Sequence, residues 1–375
     1  MRRLIAALAV LLSFTHAALA AQPETIAKSA FIIDANTGAV LLDKNADQRI
    51  PTASMSKIMT TATVFDAIRR GETTLDSTFL VSEKAWRMGG SKMFVELGNK
   101  IRVEDLLKGV IIQSGNDATI VLAEGIAGTE EAFVERMNKM VADWGLKNTH
   151  FMDVSGMPHP DHYSSARDLA FIAWHLIREY PEEYKYYSMK EFTWHGITQP
   201  NRNPLLEKVE GADGVKTGHT EEAGYCLIGS AMRDGRRVIM VLTGLPSWND
   251  RVSESTRLME WALRNFKVAT LVRKGQTVGK APVVYGQGKS VQLVIGQDVA
   301  STVPVTYNPQ DLQVKIRYMT PFIAPVRAGQ EVGSVLVTVP GLGTMQYPLL
   351  AATDVAKKGW FGLTFDKIIQ AAKNK

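Results

Sequence analysis

"TASMSKIMTTATVFDAIRRG" (residues 52–71) is a helix with an unusual first turn. Pro51 precedes the helical pattern, which runs from Ser54 and is stopped by Gly71. Two serines lie within three residues of Lys57. On a helix Ser54 and Lys57 share one face, whereas Ser56, next to Lys57 in sequence, points elsewhere. Position therefore pairs the lysine with Ser54. A nucleophilic hydroxyl needs a base within hydrogen-bond reach, and a neutral lysine can serve. A helix N-terminus adds free backbone N–H groups that stabilise developing negative charge. S-x-x-K alone is a common pattern, and it reads equally well as a serine N-cap followed by a solvated lysine.

Two further stretches narrow the choice. Ser114-Gly115-Asn116 falls in a polar break within "VEDLLKGVIIQSGNDATIVLAEGIAG" (103–128), between two apolar helical runs. A polar turn buried there costs stability unless its groups are satisfied or used. Lys216-Thr217-Gly218 lies in "DGVKTGHT" (213–220), at the start of an apolar strand. A lysine, a hydroxyl and a glycine that admits close backbone approach make an edge-strand site for a carboxylate. Taken singly, the first reads as a helix-breaking turn and the second as a surface β-turn.

Around these motifs the chain alternates between strand and helix. "KSAFIIDANTGAVLLDKNA" (28–46) reads as two strands about a turn at Asn36–Gly38. Helices follow in "EEAFVERMNKMVADWG" (130–145) and "SARDLAFIAWHLIREYP" (165–181). Past Asn201 come three sheet strands, in "GVKTGHT", "GYCLIGSAMRD" and "RRVIMVLTGL", and then a helix over 251–266. Helices inserted between strands from both ends give a sheet sandwiched with helices, closed by bringing the ends of the domain together. From about Lys267 the short Val-rich runs spaced by Gly and Pro read as a small all-β domain, a sandwich in preference to a barrel.

The ends carry a different message. "MRR", an apolar run over 4–14 and "ALA" at 18–20 form a secretory leader (1–20), so the mature chain is expected to begin at Ala21. At the other end Phe361, Phe365, Ile368, Ile369 and Ala372 line one face of a helical pattern. Asp366, Lys367, Gln370 and Lys373 line the other. That is a helix lying in a membrane surface over 357–375, or else a last helix packed on the β-domain. The chain has 375 residues, net charge +5 and one cysteine, Cys226, so it forms no internal disulfide. Its basic residues are scattered, which argues against nucleic acid as a partner.

S-x-x-K, S-G-N and K-T-G in this order make up the acyl-transfer set of penicillin-binding proteins and class A β-lactamases. With "FIIDANTGAVL", "GGSKMF", "LLKGVIIQSGNDA", "YSSARDLA" and "NRNPLL" in sequence, the chain resembles low-molecular-mass penicillin-binding proteins of the serine D-alanyl-D-alanine carboxypeptidase type. Gly115 stands where the general motif has Asp, the variant that this carboxypeptidase group shows. The resemblance implies an α/β (α+β) β-lactamase/transpeptidase-like catalytic domain (21–267), an all-β domain (268–356) and the terminal anchor helix. It implies a protein exported to the outer face of a bacterial cytoplasmic membrane, with no cofactor and no metal.

The resemblance also implies roles. Ser54 attacks the carbonyl between the last two D-alanines of a peptidoglycan stem peptide, and β-lactam antibiotics acylate the same serine. Lys57 is the base, kept neutral by burial beside a cation such as Lys216. Ser114 passes a proton to the leaving amine, and Asn116 holds the substrate amide and Lys57. Lys216, Thr217 and Gly218 bind the terminal carboxylate. The N–H groups of Ser54 and His219 form the oxyanion hole, and Arg251 helps to fix the carboxylate. Within the family the alternative is a D,D-endopeptidase acting on cross-links, and three rival readings remain outside it. A class A β-lactamase needs an E-x-x-L-N loop, which "PEEYKYYSMKEF" and "NPLLEKVEG" do not supply. A zinc peptidase would use "HPDH" (159–162), and a wall-binding scaffold would leave the three motifs vestigial.

Overall fold

The computed structural model describes residues 23–359 apart from 309, 311–312 and 340–342. The leader and the amphipathic stretch from Trp360 onward lie outside the described residues. The chain forms two compact units. The first comprises Gln22–Leu271 with Ala300–Val305, and the second is built from Val272–Val299 and the chain beyond Thr306.

The first unit is organised on five strands: β1 (Ser29–Asp34), β2 (Val40–Lys44), β3 (Ala212–Thr220), β4 (Gly224–Arg233) and β5 (Arg236–Leu245). They pair antiparallel in the order β2-β1-β5-β4-β3. The N-terminal hairpin thus joins the C-terminal meander, with Ile32 opposite Met240, and β3 is left as an edge. Every residue of β1 is buried, so both faces of the sheet are covered. Phe31, Ile33, Ile239 and Val241 join the main hydrophobic core on one face. On the other face Met259 packs at Gly229, opposite Met240.

The longer helices among the described residues are α1 (Lys57–Arg69), α2 (Val103–Ile111), α3 (Asn116–Ala127), α4 (Glu130–Asp143), α5 (Ala166–Glu179) and α6 (Trp248–Arg264). Residues 57–67 of α1 are all buried, and between Lys57 and Asp66 every residue is apolar or threonine, the mark of a helix that runs through a core. Its Met55–Phe65 side packs with Leu106, Ile120, Phe133, Leu169 and Val215. Ser165 caps α5 through the Asp168 N–H, and Ser247 caps α6 through the Asp250 N–H. The last helix therefore begins three residues earlier than the 251–266 pattern implied.

In the second unit the strands Gln313–Tyr318, Glu331–Val339, Gly343–Ala351, Ser290–Ile295, Thr277–Val284 and Phe322–Ile323 follow one another in a single six-stranded sheet. Its pairs are antiparallel except the last, where Phe322–Ile323 runs parallel to Val283–Val284. "STVPVTY" behaves differently: Val299–Pro304 pairs with Phe266–Val272 in a two-stranded sheet, and residues 300–305 group with the first unit. Lys357 bridges Gly286 and the Lys358 N–H donates to Tyr285, so β-type pairing continues into the first residues of the segment expected to be helical.

Candidate active site

The turn that carries Ser54 is a short 3₁₀ segment, Ala53–Ser56, that leads directly into α1. In 3₁₀ geometry residues three apart eclipse, which brings the Lys57 side chain up to Ser54. Lys57 Nζ lies 2.8 Å from Ser54 Oγ, 2.8 Å from Asn116 Oδ1 and 2.6 Å from the Ser155 carbonyl. Ser54 is half-buried, while Lys57 is 1% exposed. Ala53 enters the turn in the left-handed region (φ 47°), a conformation that costs a non-glycine residue about 1–3 kcal/mol and persists only where its surroundings impose it. The surroundings are Gly156, which lies against the Ala53 carbonyl, and Gly218 of β3, which lies against the Thr52 carbonyl.

The second motif is the break between α2 and α3. Ser114 is also left-handed (φ 62°). Gly115 explains the departure from S-D-N. A Cβ at this position would sit 2.9 Å from Asp117 Oδ1 and 3.0 Å from the Met93 nitrogen. The Asp117 carboxylate is committed to that loop, accepting from the backbone N–H groups of Met93, Phe94 and Val95. The same loop holds Asn116, whose side chain donates to the Gly89 carbonyl and whose N–H donates to the Ser91 carbonyl.

The third motif lies on the exposed edge of the sheet, where β3 runs beside the nucleophile turn. Lys216 Nζ donates to Ser114 Oγ at 3.0 Å and to the Thr217 carbonyl at 3.1 Å. Ser54 and Ser114 are thus each paired with a buried lysine, and Asn116 joins the first pair. Burial lowers Lys57 to about 7; Asp153 and Asp117 oppose that shift and Arg202 adds to it. Burial likewise holds Lys216 well below the ordinary lysine value, reinforced by Lys57, Arg202 and Arg251. Desolvation, more than any neighbouring cation, is therefore what favours a neutral Lys57.

These groups open into a cleft of about 320 Å³. Ser54, Ser114, Thr217, Gly218, His219 and Arg251 line it, and Lys57, Asn116 and Lys216 stand buried behind them. Every residue expected from the sequence is thus at one place. Arg251 is 3% exposed, so it is no solvated first-turn residue. Its guanidinium lies 4.2 Å from the Trp248 ring and 5.4 Å from the Tyr225 ring. Burial lowers its pKa to about 10, and its Nε has no hydrogen-bond partner. Four lining residues lay outside the sequence reading: Ser91, Arg202, Tyr225 and Trp248. Arg202 donates to Ser91 Oγ at 2.7 Å across the cleft, and the stretches that hold them, "NRNPLL" and "GGSKMF", were the available signal.

No carboxylate is among the residues lining the cleft. In "HPDH", the His162 ring is buried and faces Ser56 and Asp153, and the His159 ring accepts from the Asp161 N–H. The two histidines are thus engaged within the protein.

Comparison with known proteins agrees with this geometry. Residues 16–247 match the family described as D-alanyl-D-alanine carboxypeptidase, and residues 266–357 match the penicillin-binding protein 5 C-terminal domain. D-alanyl-D-alanine carboxypeptidase DacA of Haemophilus influenzae is 40% identical over 94% of this chain and 91% of its own length. DacA of Escherichia coli K12 is 36% identical over 92% and 88%. The crystal structure of penicillin binding protein 5 from Haemophilus influenzae superposes with a TM-score of 0.78 at 39% identity, covering 89% of this chain and 99% of that one. DacD of Francisella tularensis gives 0.80 at 32% identity, over 90% and 95%. The chain belongs to the D-alanyl-D-alanine carboxypeptidase family.

Proposed function

We propose that Ser54 is the nucleophile and Lys57 the base of a serine D-alanyl-D-alanine carboxypeptidase acting on peptidoglycan stem peptides. The observation that carries this is the 2.8 Å contact between Lys57 Nζ and Ser54 Oγ, made by an amine that burial has brought to about 7. Near neutral pH about half of such lysines carry a lone pair. Ser54 Oγ bonds to the carbonyl carbon of the penultimate D-Ala while its proton passes to Lys57. The C–N bond then breaks: Ser114 hands its proton to the departing D-Ala amine and takes in its place the proton held by Lys57, which is neutral again. Water, deprotonated by Lys57, opens the resulting ester and frees Ser54. The N–H groups of Ser54 and His219 face the carbonyl oxygen throughout.

Thr217, Lys216 and Arg251 bind the terminal carboxylate. That anion is a counter-charge for Lys216, whose protonated form burial and the neighbouring cations disfavour. A β-lactam presents the same carboxylate and a strained amide, and it acylates Ser54. The opened β-lactam ring stays tethered in the cleft where D-Ala would have departed, and no carboxylate lines the cleft as a second base for water, so the β-lactam ester is long-lived, which separates this reading from a β-lactamase. Mass spectrometry after exposure to benzylpenicillin should show one adduct, mapped to Ser54 and absent from Ser54→Ala. Rapid turnover of the antibiotic without a stable adduct would overturn the reading.

Export and attachment complete the proposal. Residues 1–20 direct the chain across the cytoplasmic membrane, catalysis lies in 21–267, and 268–356 carries it on the outer side. The apolar stripe from Phe361 to Ala372 lies in the membrane surface. Among the described residues no helix is long and apolar enough to cross a membrane. Truncation after Gly359 should release active protein from membranes, and continued sedimentation with them would refute the anchor.

A further inference from the structure

Ser56 has a base of its own. Its hydroxyl lies 2.7 Å from His162 Nε2 and 2.5 Å from Thr52 Oγ1. His162 Nδ1 lies 3.1 Å from Asp153 Oδ2 and 3.2 Å from the Met152 backbone nitrogen. Carboxylate, imidazole and hydroxyl follow one another as in a hydrolase triad. Yet Ser56 is fully buried, His162 is 3% exposed, and neither lines the cleft. No substrate reaches this serine, so its use must lie in what the array holds.

It holds two turns. Thr52 and Ser56 bracket the nucleophile, and their mutual bond fixes the segment that carries Ser54. Asp153 closes the turn at 155–157: it accepts from the N–H groups of Ser155 at 2.6 Å and Gly156 at 2.7 Å, from Ser155 Oγ at 2.9 Å, and from the Met157 N–H at 3.1 Å. Burial opposes ionisation of this carboxyl, but His162 and the Ser155 donors outweigh it and hold its pKa below the carboxylate range. The same turn presents the Ser155 carbonyl to Lys57 and Gly156 to the Ala53 carbonyl.

The chemistry of a neutral amine makes that carbonyl matter. Neutral lysine has two N–H bonds and one lone pair. Donating to Asn116 Oδ1 and to the Ser155 carbonyl uses both bonds and leaves the lone pair for the Ser54 O–H. If the Ser155 carbonyl moves, the amine can rotate and turn an N–H toward Ser54 instead.

We propose that Asp153, His162 and Ser56 form a positioning relay that ties the turn carrying Ser54 to the turn whose carbonyl aims Lys57, so that they set the acylation rate without touching substrate. The proposal rests on Ser54 and Lys57 being nucleophile and base. His162 is its centre, because its ring meets Ser56 on one side and Asp153 on the other.

The test compares two replacements at His162. His162→Phe keeps the ring volume and removes its polar contacts, while His162→Gln retains a polar end toward Ser56. Steady-state release of D-Ala from an acyl-D-Ala-D-Ala tripeptide and the rate of acylation by a fluorescent penicillin are measured on protein shown to be folded by thermal melting. His162→Phe should lose roughly 10–100-fold in kcat with KM nearly unchanged, the size of effect a displacement of about 1 Å produces, and Gln should recover most of it. Asp153→Asn gives a second, independent reading. Lys57 faces the anions Asp153 and Asp117 and the cations Arg202 and Lys216. Removing the Asp153 charge should carry the acid limb of the pH profile to lower pH while the limiting rate falls. A role confined to folding would leave that limb in place.

Folded His162→Phe that acylates at the wild-type rate would overturn the relay, as would an unmoved limb in Asp153→Asn. Should His162→Phe not fold, Ser56→Ala and Asp153→Asn decide the question by the same rates. A Ser54→Ala protein that still takes up penicillin would instead overturn the nucleophile assignment, so the two failures are distinguishable.

Discussion

Gly156 lies directly against the carbonyl of Ala53, and a Cβ at position 156 would overlap that oxygen. Gly156 also has φ +86°, which an L side chain rarely adopts. Gly156→Ala must push back either its own turn or the one that carries Ser54. We expect acylation by penicillin to fall roughly 100-fold in a protein that still melts cooperatively. Labelling with fluorescent penicillin checks this, and wild-type labelling would show that the two turns are independent.

The lowered Lys57 predicts a pH profile. The amine must be neutral to take the Ser54 proton, so kcat/KM should rise with pH through an apparent pKa of about 7. Lys57→Arg, which stays protonated, should cost roughly 10²–10⁴ in rate and abolish that limb. Stability should follow the same group. Between about 7 and the ordinary 10.5 the unfolded chain holds a proton that the folded one has released. Stability due to Lys57 therefore rises with pH across that window, by roughly 5 kcal/mol in all. Denaturant titrations of wild type and Lys57→Met at pH 7 and pH 9 measure the difference.

Arg251 should matter to the carboxylate and little else. Its charge is held over Trp248 and Tyr225, and the residue lines the cleft. Loss of a charge-assisted hydrogen bond, about 1.5–3 kcal/mol, corresponds to a KM roughly 10–100-fold higher for Arg251→Ala. The penalty should vanish on a substrate whose terminal carboxyl is amidated. An equal penalty on both substrates would place Arg251 outside carboxylate binding.

Asp117 holds the loop behind the second motif through three backbone N–H groups. Asp117→Asn puts an amide donor where one acceptor stood, so it should destabilise the fold by roughly 2–3 kcal/mol. It should also speed proteolysis between Met88 and Leu97. Urea unfolding and limited digestion test both, and unchanged digestion would show that the loop is held by other contacts.

The residues that meet at the cleft were readable because their types are informative and their order is specific. The backbone beneath them was not. Ala53 and Ser114 are left-handed, yet neither is Gly or Asn, so nothing in their identity announces it. Tertiary packing imposes the conformation, through Gly156 at one site and the break after α2 at the other. Arg202 and Ser91 are 111 positions apart, and no local pattern reports such an approach. The start of α6 was legible in hindsight. Ser247 and Asp250 have the spacing of a capping box, and that spacing puts Arg251 in the first turn, on the cleft side. The Val299–Pro304 strand reads like its β-domain neighbours, and only its pairing with Phe266–Val272 sets it apart.

The burial of α1 has a consequence for how this enzyme fails. The nucleophile opens a helix that is enclosed by the core over residues 57–67, not one laid on the surface. Amide protons of that helix should exchange with solvent only through global opening, among the slowest in the protein. The reactive serine therefore belongs to the last part of the molecule to loosen. Warming should leave acylation intact up to the unfolding transition itself, with activity and fold lost together.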